Sequence, residues 1–113
     1  MCSYKTWYHD EQTGYVVQCT ECNKIQVGFG VLSLTLKMPD FETFRRQIAE
    51  CFDSTIPDIA GVHIKSIWLP TPVEGMNLLL TYKELDNLFQ MLEFSDNEMR
   101  AEGLLQCFKQ PGK

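Results

Sequence analysis

Two thiols, Cys19 and Cys22, stand three positions apart in YVVQCTECNKIQVGFG, Tyr15 to Gly30, between two stretches of strand character. At the tip of a hairpin such a Cys-x-x-Cys pair forms a knuckle, in which both thiolates and the N–H groups of the turn converge on one point about 2.3 Å from a zinc ion. The pair has three uses open to it: holding a metal, exchanging electrons, or filling space. Exchange is the least favoured. A reactive pair sets its attacking thiol at a helix N-terminus, where backbone N–H groups stabilise the thiolate. Here Asn23-Lys24 and the β-run IQVGFG follow, and Glu21 puts an anion between the thiols.

One knuckle supplies two ligands, and a closed tetrahedral zinc site needs two more. Cys2 and His9 lie in an N-terminal segment with little apolar patterning, which coordination would tie down. The expected set is therefore Cys2, His9, Cys19 and Cys22, with the spacing C-x6-H-x9-C-x2-C. Cys51 in AECF and Cys107 in LQCF each precede a phenylalanine near the end of a helical stripe, where a buried cysteine acts as a small hydrophobe. His63 reads as a partly exposed sheet residue. A site of three thiolates and one imidazole is more often closed and structural than catalytic. The chain has no G-x-S-x-G, H-E-x-x-H or Gly-rich phosphate loop to suggest hydrolytic chemistry.

Charge removes further classes. The net charge is -5, with eight acids against six bases through Pro72 and seven against four from Val73 onward. No clustered Lys and Arg offers a polyanion grip, so no nucleic-acid partner is expected. The N-terminus lacks a basic flank before an apolar run, and the longest apolar runs are far short of a membrane span, so neither a signal peptide nor a membrane partner is expected. Five cysteines, an odd number, in a chain read as cytoplasmic argue against a disulfide framework.

The elements that must position the thiols follow from periodicity. Tyr15 to Cys19 and Ile25 to Phe29 flank the turn, and Leu32, Leu34 and Leu36 alternate in a third strand. Gly28-Phe29-Gly30 marks a bulge or bend. Phe41, Phe44, Ile48 and Phe52 then form a helical stripe with Pro39 in its opening turn. Shifting the chain by 44 residues lays Leu34 to Ile48 on Leu78 to Leu92, so that Leu34, Leu36, Phe41 and Phe44 match Leu78, Leu80, Leu85 and Leu88. In this second copy the strands are His63 to Leu69 and Met76 to Leu80, and Thr81 with Glu84 reads as a capping box. Ser95 with Glu98 reads as another, opening a further helix through Met99, Leu105 and Phe108.

The expected fold is α+β: an antiparallel sheet of about five strands with two or three helices on one face, consistent with two related ββα units. The chain reads as a single domain, 1–113, with a zinc-knuckle arm and hairpin at 1–30, a strand-helix unit at 31–56, and a second unit at 62–110.

The order Cys2, His9, Gly14, Cys19, Cys22, Gly28, Phe29, then Phe41 and Phe44, resembles a family of small uncharacterised bacterial proteins with an N-terminal Cys/His and a Cys-x-x-Cys hairpin. The resemblance covers the first half of the chain and implies no activity. The sequence points to a small zinc-stabilised, non-enzymatic module that acts on an unknown protein partner, as a monomer or a homodimer. A nucleic-acid-associated zinc ribbon and a thiol oxidoreductase using Cys19 and Cys22 are the alternatives.

Overall fold

A computed structural model describes residues 3–56 and 64–108. Four strands, β1 (Tyr4–Asp10), β2 (Gly14–Cys19), β3 (Ile25–Phe29) and β4 (Leu32–Leu36), form an antiparallel meander in chain order. Helix α1 (Met38–Ser54) follows, then a separate two-stranded sheet of β5 (Ile67–Pro70) and β6 (Asn77–Leu80), and helix α2 (Tyr82–Phe108).

The α+β class agrees with the sequence reading, and four details differ. The N-terminal segment is not a loose arm but strand β1, paired with β2 from Tyr4↔Cys19 to Asp10↔Gly14. The strands lie in two sheets rather than one, because β4 and β6 each pair only with the strand next to them in sequence. The strand expected from His63 starts at Ile67, and His63 itself lies outside the described residues. Ser95 starts no new helix: α2 runs unbroken past it, and its buried hydroxyl donates to the Met91 carbonyl at 2.8 Å.

Each hairpin turn has a local cause. The Asp10 carboxylate accepts from the N–H of Gln12 (3.1 Å) and of Thr13 (2.8 Å), which folds the chain back into β2; the Thr13 side chain first, then these N–H groups, hold that carboxyl below its ordinary value. Gly14 sits at φ +151°, where an added Cβ would lie 2.0 Å from the Gly28 carbonyl oxygen. The β3–β4 reversal is a two-residue turn with Gly30 at φ +58°, so the predicted bend at 28–30 is a hairpin turn. The sheet's bulge falls in β1 instead. There Trp7 is the extra residue between the Thr6↔Val17 and Tyr8↔Val16 pairs.

One cluster of buried side chains joins all the layers. Val16, Ile25, Val27, Leu34 and Leu36 from the larger sheet meet Phe41, Phe44 and Ile48 of α1, Leu78 and Leu80 of β6, and Leu85, Leu88 and Leu92 of α2. The eight residues that match between the two copies, Leu34, Leu36, Phe41 and Phe44 with Leu78, Leu80, Leu85 and Leu88, all belong to it. Phe52 extends it by stacking on Phe89, with ring centroids 4.4 Å apart.

The capping box at the start of α2 forms as expected. The Glu84 N–H donates to Thr81 Oγ1 at 3.0 Å and the Thr81 N–H to Glu84 Oε1 at 2.9 Å. Burial works against the Glu84 charge, but Lys65, 2.6 Å away, and the Thr81 N–H outweigh it and leave the carboxyl below its ordinary value. Arg45 bonds Glu42 one turn earlier on α1 at 3.0 Å, and across to α2 it bonds Glu93 at 2.8 Å and lies 3.6 Å from Asp96. These bonds, that to Glu42 first, raise the guanidinium above its ordinary value and lower the Glu42 carboxyl.

Candidate metal knuckle

The turn between β2 and β3, which carries the thiol pair, is closed by two backbone bonds. The Cys19 N–H donates to the Lys24 carbonyl at 2.9 Å, and the Asn23 N–H returns to the Cys19 carbonyl at 3.0 Å. Asn23 takes φ +63°, the left-handed conformation that asparagine tolerates better than most side chains. This folds residues 20–22 over Cys19, and the Cys22 N–H points at Cys19 Sγ at 3.4 Å. A backbone donor aimed at sulfur suits a metal-bound thiolate. Cys19 is buried at 2% exposure, whereas Cys22 is open to solvent.

Neighbouring strands brace the turn. The Ser3 carbonyl accepts from the Thr20 N–H at 2.8 Å and from its hydroxyl at 3.1 Å, so the chain entering β1 is tied to the knuckle one residue from Cys2. Cys2 itself lies outside the described residues. The Gln18 amide donates to the Asn23 carbonyl at 3.1 Å and accepts from the Trp7 indole at 3.0 Å. Lys5 lies 4.7 Å over the Trp7 ring and pairs with Glu102, linking this corner to α2. The sequence reading missed this support, although Tyr4, Thr6, Trp7 and Tyr8 are all strand-favouring types.

The remaining sequence-predicted ligand is not brought in. His9 pairs with Tyr15, four positions along β2 from Cys19, which at about 3.4 Å per residue places it roughly 14 Å from the knuckle. It stands at the opposite end of the hairpin, exposed, and the register separates it from the expected four-ligand set. Among the described residues, no three His, Cys, Asp or Glu side chains lie close enough together to hold a metal ion.

The other cysteines divide. Cys51 is half-buried against the core with its sulfur 3.7 Å from Thr55 Oγ1, in keeping with a small apolar filler. Cys107 is exposed on the last turn of α2, so the buried-filler reading does not apply to it.

The match to known families spans these features. The chain belongs to a family of unknown function (DUF6686). The family pattern matches residues 1–107, which take in every strand and all but the last residue of α2. No curated protein and no solved structure matches the chain. Membership agrees with an uncharacterised family and assigns no activity. Among the described residues no helix is long and apolar enough to cross a membrane.

Proposed function

We propose that Cys19 and Cys22 are the inner pair of a zinc site, with Cys2 as a third thiolate, in a small cytoplasmic module that works through protein contacts rather than catalysis. The supporting observation is the Cys22 N–H aimed at Cys19 Sγ within a turn closed by a left-handed Asn23. The Ser3–Thr20 bonds deliver the chain to this turn next to Cys2. With His9 at the far end of the hairpin, the fourth position is left to solvent or to a partner.

The metal's role in this reading is narrower than the sequence suggested. Strand pairing, Trp7 and the contact of Tyr8 with Phe94 (ring centroids 5.6 Å apart) already hold β1, so the ion pins the turn and the chain before Tyr4. Elemental analysis of protein purified without chelator is expected to give close to one zinc per chain. Cys22→Ser, at an exposed position that the core does not need, should lower the zinc content sharply, and His9→Ala and Cys51→Ser should leave it unchanged. Full zinc occupancy in Cys22→Ser, or none in the unaltered chain, would overturn the assignment.

A further inference from the structure

We infer that the β5–β6 hairpin is a self-association surface, through which two copies of this chain pair about a two-fold axis. The strands alternate as the larger sheet does, with Leu69, Leu78 and Leu80 turned into the core. The side that should then be polar is not. Trp68 faces outward at 63% exposure, directly across from Leu79 at 54%, with Met76 at 44% and Val73 at 47% in the adjoining turn. Val31, at 110%, shares a cleft with Leu79 and Met76 and continues the patch onto the β3–β4 turn.

The area fits a second copy. Taking roughly 250 Å² for a whole indole side chain and somewhat less for each aliphatic one, these five residues leave on the order of 500–600 Å² of apolar surface in water. That is at the upper limit of what a monomer exposes. A stable interface buries about 800 Å² on each partner, of which about 65%, or roughly 520 Å², is apolar when the partners are identical. The patch therefore matches one side of a homodimer.

Shape and charge agree with the area. An isologous interface needs a knob and a hole on the same surface. Trp68 is the knob. The hole is the neighbouring cleft of about 490 Å³ between Val31 and β6, large enough to admit an indole ring. Each chain carries a net charge of -5, so two copies approach with least repulsion where charge is sparse. Glu74 is the sole charged residue from Ser66 to Leu80, and at the cleft Lys65 and Glu84 neutralise each other at 2.6 Å. A two-stranded sheet is also marginal alone in water, and packing against its symmetry mate removes its exposed face.

Sedimentation equilibrium of the full chain tests the pairing. The unaltered protein should show a mass near twice 13.1 kDa at micromolar concentration. Trp68→Glu and Leu79→Glu should each weaken association at least about 30-fold, as expected for a central aromatic or aliphatic anchor, and circular dichroism should show both folded. If either variant unfolds, Trp68→Ser supplies the same test with a smaller polar side chain. A monomer throughout the micromolar range, or a dimer that survives in the folded Trp68 variants, would overturn the inference.

Discussion

Replacing Leu36 by alanine tests the register of the large sheet and the unity of the core together. Leu36 is 5% exposed on β4, its neighbour Thr35 is exposed, and the two point to opposite faces. Truncation removes three carbons, about 2.4 kcal/mol of transfer free energy at roughly 0.8 kcal/mol each. The cavity left in a close-packed interior adds to this, giving about 3–4 kcal/mol within the usual range for buried leucines. At about 2 kcal/mol per molar of urea, the middle of the range for a small domain, the midpoint should fall by roughly 1.5–2 M. Thr35→Ala should move the midpoint by less than about 0.3 M, since surface changes stay within about 0.5 kcal/mol. Leu80→Ala, 4% exposed on the other sheet, should produce a loss of the same size in the same single transition. Equal midpoints for Leu36→Ala and Thr35→Ala would refute the register. A second transition appearing only in Leu80→Ala would refute the shared core.

Glycine and pH effects follow from the same geometry. Gly14→Ala should destabilise by at least about 1–3 kcal/mol, since its Cβ would meet the Gly28 carbonyl at a strained φ, whereas Gly103→Ala, in α2 with nothing within 4 Å, should stabilise by about 0.5–1 kcal/mol. Equal urea midpoints for the two variants would contradict the packing at Gly14. The Glu42 and Glu84 carboxyls sit below their ordinary value of 4.5 in the folded chain, so the unfolded chain takes up protons first. Their stabilisation is fully present above that value and is lost as pH falls through the lower folded values. Glu42→Gln should therefore flatten the fall of the urea midpoint below about pH 4.5, and an unchanged acid profile would contradict the Arg45–Glu42 assignment.

What the sequence revealed divides along physical lines. The leucine and phenylalanine core was legible because alternation in strands and 3.6-residue periodicity in helices report burial directly, and the Thr81–Glu84 cap because it is local. Strand β1 was obscured by its own bulge. With Trp7 extra, Trp7 and Tyr8 both pack against the core, and the run Tyr4 to Asp10 loses its alternation. Ser95 misled because a serine followed three residues later by glutamate fits a cap. Its hydroxyl instead bonds back four residues within a continuous helix, an arrangement the pattern does not distinguish. The thiol pair was visible in its spacing. The position of His9 was not, because it depends on which residues of β1 and β2 face each other.

Helix α2 connects the two candidate surfaces and keeps them apart. Glu84, in its first turn, lines the cleft beside Val31 and Leu79, while Glu102 and Gln106, near its end, line the groove beside Cys19 and Trp7. From Glu84 to Glu102 the helix rises about 27 Å at about 1.5 Å per residue, well beyond the 7–10 Å within which perturbations usually couple. Between them lie Leu85, Leu88, Met91 and Leu92, each at 1% exposure or less. Such a close-packed segment resists graded distortion, so coupling would require a second arrangement of the helix against the sheet. The core contacts and the reach of Arg45 from α1 to Glu93 and Asp96 of α2 favour one arrangement. On the readings proposed above, metal occupancy at the turn and pairing at the hairpin would thus be separate events on one scaffold. Chelation should loosen the turn at Cys19 and Cys22 without changing the association constant, and Trp68→Glu should weaken the dimer without changing the zinc content.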